Sequence, residues 1–420
     1  MRVEGTLRVP GDKSISHRAL ILAALSEGST RVEGILESAD VHSTARVLRA
    51  LGVDVPALSS DFVIRGAGVR GLRAPAEPLD CGNSGTTTRL MAGVVAALPF
   101  TAEFVGDASL SRRPMKRIAR PLEAMGAVVE LPAHGGLPMT VRGGDLHDLH
   151  WHSEIASAQV KSALLLAGVA SGVRVEYEEP ARSRDHTERM LAARGVSVET
   201  RGTHVILPAG ARRLQATPTA VPGDPSSAAF FAGLAALADV GTLVLEDVCV
   251  NETRTGFLEV LRRMGAHVEF DRTVSAGGEW VSPVVVSPHP LRGVSVGQAE
   301  VPGMIDELPL LACIATRAEG ETVITGAAEL RVKESDRIAT VVGNLRALGA
   351  DADELPDGMR VRGSAARLHG RVQTHGDHRI GMAFGVLGAV RGNDITVDDP
   401  GCVAVSYPTF WTDLVRVVRP

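Results

Sequence analysis

Aromatic residues are scarce in this 420-residue chain, which has two tyrosines, three tryptophans and nine phenylalanines. A surface that binds nucleic acid by stacking bases on rings has little to be built from, so no nucleic-acid partner is expected. Cysteine is scarce too. Cys81, Cys249, Cys313 and Cys402 lie far apart and form no CxxC pair, which argues against a zinc site or a disulfide framework and for a reducing compartment. No apolar run reaches the ~18 residues of a membrane span. The N-terminal MRVEGTLRVPGDK has neither a signal-peptide core nor transit-peptide character. A soluble cytoplasmic protein with no membrane partner is expected. The formal charge of −5 means that any cationic site is a local gathering of Lys and Arg.

What the chain has in quantity is Ala, Val, Leu and Gly, arranged in a long repeat. A polar, Gly- or Ser-bearing loop runs into an apolar helix six times: at VPGDKSISHRALILAAL (from Val9), GNSGTTTRLMAGVVAAL (Gly82), SEIASAQVKSALLLAGVA (Ser153), VPGDPSSAAFFAGLAAL (Val221), VPGMIDELPLLACIA (Val301) and HGDHRIGMAFGVLGAV (His375). Each is followed by a β-rich stretch, and then by a second helix with one charged face. Five of these second helices end on glycine, at 52, 126, 195, 265 and 349, where a left-handed residue stops a helix at little cost. Short strands follow, so the repeating unit reads β-α-β-α-β-β. Helices apolar on every side must be surrounded by protein, whereas those with a charged face belong outside. Six units in two groups of three predict an α/β fold of two lobes, with buried helices inside. VPGD occurs at 9–12 and again at 221–224, which suggests two chain crossings at a hinge. The expected lobes are 13–221 and 1–12 plus 222–420, with a simple cut near 221 as the alternative.

Six helix N-termini behind polar loops present free N–H groups suited to anions. Lys13, Ser14 and Arg18 open the first buried helix. Gly-Asp-Lys-Ser resembles a P-loop only in part, because Asp12 and Leu7 stand where the Walker pattern needs glycine. Asn83, Gly85 and Arg89 lie in the second loop, and Arg113 precedes Pro114 at a probable helix start. Ser157, Ala158 and Gln159 open the third buried helix, and Arg184 lies in SRDHTE. For the serines and for Asp306 and Glu307, capping is an equally simple reading. RVKESDR packs Arg331, Lys333, Glu334, Asp336 and Arg337 into seven residues, and Asp377, His378 and Arg379 follow in HGDHR. Such density fits either a salt-bridge network or a site. Arginine forks suit phosphate and carboxylate oxygens, and the carboxylates could move protons.

GDKSISHR, GNSGTTTRL, SRRPM, SAQVKSALL, MIDE, RVKESDR and GDHR occur in this order along nearly the whole chain. In this the sequence resembles the 5-enolpyruvylshikimate-3-phosphate (EPSP) synthase family. The resemblance implies an inside-out α/β barrel fold of two lobes, each with three βαβαββ units, and transfer of the carboxyvinyl group of phosphoenolpyruvate to shikimate 3-phosphate without a cofactor or metal. It implies that Lys13, Ser14, Arg18, Ser157, Ala158, Gln159, Arg184, Asp306 and Lys333 hold shikimate 3-phosphate. Phosphoenolpyruvate would be held by Lys13, Asn83, Gly85, Arg113, Gln159, Arg337 and Arg379, with Asp306, Glu334 and Lys13 catalytic. A monomer is expected. The chain departs from many members at Glu329-Leu330, where they have Asn-Trp, at Val405, where they have lysine, and at Ala158, where some have a second serine. Gly85 keeps the small residue associated with glyphosate sensitivity. The sister transferase acting on UDP-N-acetylglucosamine uses a loop cysteine, which Cys81, at a probable strand end, does not resemble.

Overall fold

The computed structural model describes residues 1–210, 212–274 and 277–419. The six apolar runs form helices Lys13–Leu25, Gly85–Ala96, Ala158–Ser171, Pro225–Ala236, Leu308–Ala315 and His378–Ala389. Their composition dictates their place. All twelve residues of Pro225–Ala236 are buried, as is every residue from Ile15 to Leu25. Small residues let such helices touch backbone to backbone: a Cβ on Gly93 would lie 2.1 Å from the carbonyl oxygen of Ala163. The helices with a charged face, among them Ala39–Ala50, Lys116–Ala124, Gly256–Met264 and Arg337–Ala347, each bury one side. All five glycines after the second helices have positive φ, between 80° and 114°.

The fold is mixed α/β. In four repeats the buried helix crosses between neighbouring parallel strands: Leu79–Asp80 with Thr101–Val105, Leu149–His152 with Val175–Glu178, Ser295–Val296 with Glu321–Ile324, and His369–Val372 with Asp394–Val397. The two VPGD repeats have exchanged their leading strands. Gly5–Arg8 pairs with Leu243–Cys249, and Thr219–Ala220 pairs with Glu27–Glu33.

By its contacts the chain divides into two compact units. One comprises Gly11–Val221 with the described residues 277–279, and the other comprises Met1–Pro10, Pro222–Val274 and the chain from Trp280. The first crossing thus falls after Pro10, two residues before the expected boundary, because Gly11 packs so tightly on Gly34 that a Cβ would sit 2.0 Å from its carbonyl oxygen. Residues 277–279 also lie outside their expected lobe. Glu279, 2% exposed, reaches buried His186 with its carboxylate 2.8 Å from Nδ1. Of the short strands expected after the glycines, the one at Val53–Val55 is absent; the Arg49 guanidinium donates to the carbonyls of Val55 (2.7 Å) and Pro56 (2.5 Å) there. Among the described residues no helix is long and apolar enough to cross a membrane, and no cluster of His, Cys, Asp and Glu could hold a metal ion.

Candidate active site

The first unit gathers its candidates at three helix N-termini. Asp12 caps Lys13–Leu25 by accepting from Ile15 N at 2.7 Å, which leaves Lys13 and Ser14 in the first turn. Lys13 Nζ lies 3.1 Å from Asp40 Oδ2. Arg18, one turn further in, is 3% exposed. Its Nε donates to Thr187 Oγ1 (2.7 Å), Nη2 to Ser162 Oγ (2.7 Å) and Nη1 to the Ser14 carbonyl (2.9 Å), while Thr187 Oγ1 donates to Ser162 Oγ (2.7 Å). These contacts are neutral, so they orient the guanidinium without cancelling its charge. Burial lowers its pKa to about 10, opposed by Glu188 and Asp12, and Arg184 acts in the same direction as burial.

Ser84 caps the second helix, accepting from Thr87 N at 3.1 Å, and Gly85 begins it. A Cβ on Gly85 would meet Arg89 Nη1 at 3.2 Å and Arg113 Nη1 at 3.5 Å, so two guanidinium groups converge on this glycine. Arg113 Nη2 donates to Asn83 Oδ1 at 2.7 Å. Arg89 donates to Gln159 Oε1, and Gln159 Nε2 donates to Thr86 Oγ1 at 2.9 Å. Ser157 caps the third helix, which Ala158 and Gln159 open, so its capping role is realised. A buried chain ties the first loop to the second: His17 Nδ1 to Thr44 Oγ1 (2.6 Å), Thr44 Oγ1 to Thr87 Oγ1 (2.7 Å), and Thr87 Oγ1 to Ser84 Oγ (2.8 Å). Burial drives the His17 pKa down to about 3. The ring is therefore neutral. Since Thr87 donates to Ser84 and Thr44 donates to Thr87, His17 carries its proton on Nδ1.

The second unit holds the carboxylates. Asp306 lies in the turn Ile305–Glu307, directly ahead of the helix Leu308–Ala315. Arg337 is 1% exposed and is ringed by acids: Nε to Asp377 Oδ2 (2.8 Å), Nη2 to Glu334 Oε2 (2.7 Å) and Nη1 to Asp306 Oδ1 (3.3 Å). They hold its guanidinium pKa above the ordinary value despite burial. Half-buried Lys333 has its pKa lowered, chiefly by lost hydration, with Asp306 and Glu329 opposing. Arg379, 6% exposed, starts the helix His378–Ala389 and sends its backbone N–H to Asp377 Oδ1 at 3.0 Å. Asp377 thus fixes both arginines, and its carboxyl pKa lies below the usual range.

The structure brings Lys13, Ser14, Arg18, Asn83, Gly85, Arg113, Ser157, Ala158, Gln159 and Arg184 into one unit, and Asp306, Lys333, Glu334, Arg337 and Arg379 into the other. Sequence reasoning missed Thr187 and Ser162 behind Arg18, and Asp377 behind Arg337 and Arg379. Only the proximity of Asp377 to Arg379 in HGDHR was a signal. Of the two readings left open for RVKESDR and HGDHR, a salt-bridge network is present: Arg337 has three carboxylate partners. Cys81, fully buried, has its thiol pushed up to about 12 by burial, which rules it out as a nucleophile at neutral pH. If the hydroxyls orient Arg18 for an anionic substrate, Thr187→Val is expected to raise the KM for that substrate about tenfold, the scale of one bond to a charged group. The KM for a co-substrate held elsewhere should move little, and Thr187→Ser should restore the loss. Equal changes in both constants would assign Thr187 to packing alone.

The model of the family described as EPSP synthase (3-phosphoshikimate 1-carboxyvinyltransferase) matches residues 1–414. The 3-phosphoshikimate 1-carboxyvinyltransferase of Sulfurihydrogenibium sp. is 48% identical over 100% of this chain and 98% of its own length. That of Acidithiobacillus ferrooxidans is 51% identical over 97% of this chain and 94% of its own. The solved EPSP synthase of Acinetobacter baumannii superposes with a TM-score of 0.88 at 40% identity, covering 99% of this chain and 96% of that one. The enolpyruvyl transferase NikO of Streptomyces tendae shares the fold, with a TM-score of 0.75 at 18% identity over 99% and 95% of the two chains. With a full-length family match and relatives near half identity, the chain belongs to the EPSP synthase (3-phosphoshikimate 1-carboxyvinyltransferase) family.

Proposed function

We propose that the chain acts on one pair of substrates, shikimate 3-phosphate and phosphoenolpyruvate, each bearing a phosphate and a carboxylate. The reaction transfers the carboxyvinyl group of phosphoenolpyruvate to the 5-hydroxyl of shikimate 3-phosphate and releases phosphate, in the shikimate pathway. The observation that carries this reading is the clustering at three helix N-termini of Lys13, Arg18, Arg89 and Arg113, with Arg18 oriented by hydroxyls. Such a surface suits oxyanions.

Shikimate 3-phosphate is assigned to Lys13, Ser14, Arg18, Ser157, Ala158, Gln159, Arg184, Asp306 and Lys333. Phosphoenolpyruvate is assigned to Lys13, Asn83, Gly85, Arg113, Gln159, Arg337 and Arg379. Asp306 takes the proton of the 5-hydroxyl as its oxygen bonds to C2 of phosphoenolpyruvate, while Glu334 and Lys13 are the proton donors to the methylene carbon. The tetrahedral adduct then loses phosphate from C2 and a proton from the new methyl group, which restores the double bond. Arginine and lysine charges hold the oxyanions throughout.

We read the two units as lobes of an inside-out α/β barrel fold, each with three βαβαββ repeats around buried helices, and the crossings at the VPGD segments as the hinge. The exchanged leading strands and the burial of all six apolar helices support this. A cytoplasmic monomer is part of the same reading. The test is phosphate release, which should require both substrates and slow with glyphosate in competition with phosphoenolpyruvate. Release from phosphoenolpyruvate alone, or insensitivity to millimolar-scale glyphosate, would refute the assignment.

A further inference from the structure

The two cationic half-sites are held in opposite ways. Arg18 is oriented by two hydroxyls and a carbonyl, whereas the ligand-binding edge of Arg337 is already occupied. Asp377, fully buried, takes the Nε side of Arg337 at 2.8 Å and reaches Nη2 at 3.3 Å. Ser335 Oγ donates to the same carboxylate at 2.9 Å, and the Arg379 backbone N–H donates to it at 3.0 Å. This pair is a fixture of the fold. The remaining edge, Nη1 and the outer side of Nη2, points to Asp306 at 3.3 Å and Glu334 at 2.7 Å, whose side chains are 18% and 24% exposed. These are the two acids assigned to proton transfer. A substrate anion cannot approach that edge of Arg337 while both carboxylates sit on it.

We propose that phosphoenolpyruvate reaches Arg337 by ion-pair exchange, its anionic group displacing Glu334 from Nη2, so that the proton donor is released only when the substrate to be protonated is in place. This rests on the assignment of phosphoenolpyruvate to Arg337. Asp377 keeps the guanidinium from following the departing carboxylate. Glu334 is the partner that exchanges: it is the more exposed of the two acids, and it stands three residues before Arg337, on the segment leading into the helix Arg337–Ala347.

Among the charges that act on Glu334 are Arg337 and Lys333, which favour its ionised form, and Asp377, which opposes it. Losing the 2.7 Å pair with Arg337 removes one support of that form, and an incoming anion removes more, so the displaced carboxylate takes up a proton from solvent. That proton is the one the methylene carbon needs. In the empty enzyme the acid is ionised and inactive; in the filled one it is neutral and able to donate.

The experiment is titration calorimetry of the full chain, saturated with shikimate 3-phosphate, with phospholactate, a phosphoenolpyruvate analogue that lacks the vinyl group and does not react. Run in buffers of different ionisation enthalpy, it reads the protons taken up on binding. The wild type should take up more protons than Glu334→Gln, the difference approaching one per complex, because any change on the ligand's own phosphate is common to both. Glu334→Gln should also bind the analogue about tenfold tighter while losing turnover, since a neutral amide is the easier group to displace from a guanidinium. Equal proton uptake in the two proteins, or weaker binding by the variant, overturns the exchange. Failure of the analogue to bind the wild type, or unchanged affinity in Arg337→Met, instead overturns the assignment of phosphoenolpyruvate to Arg337.

Discussion

A Lys161→Met variant is expected to lose about 3–5 kcal/mol of folding stability, read as a lower urea midpoint for the unit that contains it. Lys161 lies within an otherwise apolar buried helix and is 1% exposed. Its ammonium sits 3.0 Å from Glu179 Oε1 and 2.8 Å from Glu188 Oε1, and both carboxylates are buried. Methionine fits the space but leaves two acids facing each other without a cation. The dependence on pH has a definite sign. The Lys161 pKa is raised, because its two glutamates outweigh the burial that lowers it. Its contribution is therefore complete below the unfolded value of ~10.4 and is lost only as pH rises through the folded one. In the variant the unpaired carboxylates favour protonation, so the deficit should shrink as pH falls below neutral. A deficit under about 1 kcal/mol at pH 7, the level of an exposed pair, would mean that the triad does not hold the unit together.

The largest catalytic effect is expected at Asp306. Asp306→Asn should reduce kcat by ~10²–10⁴, the range for a positioned acid or base, with the KM values for both substrates changing by only a few-fold. Asparagine keeps the size of the side chain and can still accept from Arg337 Nη1, so the arginine stays in place. What it cannot do is take a proton from the 5-hydroxyl. A fall in kcat of less than about tenfold would place the base elsewhere. A rise in KM with kcat unchanged would make Asp306 a binding group.

The helices behind the polar loops and the strand after each were legible in the sequence because both are local. A run such as FFAGLAAL has no polar side to show to water, and a glycine at its left-handed turn marks where the next helix stops. The positions of Gly85 and Asp306 at helix starts were legible for the same reason, whereas the helix expected to open at Pro114 beside Arg113 begins only at Lys116. What the sequence hid depends on distance along the chain. Ser162 and Thr187 meet Arg18 from 144 and 169 residues away. Asp377 reaches Arg337 across 40 residues, and Glu279 reaches His186 across 93. Nothing in SAQVKSALLL reveals that two buried glutamates lie opposite Lys161. The Val53–Val55 strand is absent although the arginine-to-carbonyl contact at Arg49 recurs at Arg262 and Arg346, where the strand forms, so that contact does not explain its loss.

The pairing of the first strands with much later ones sets the order in which a ribosome can deliver a finished fold. Every described strand between Gly11 and Val221 has its neighbour within that stretch, so its sheets can form while the rest is still being made, although the unit is complete only when Glu279 reaches His186. The opening ten residues have no such partner at hand. Gly5–Arg8 must wait for Leu243–Cys249, the terminal amine for Asp239 at a separation of 238 residues, and Arg2–Val3 for Val418–Arg419. The leading peptide therefore emerges first and is secured last, and a chain stalled before its final turn releases one half folded and the other open at both ends.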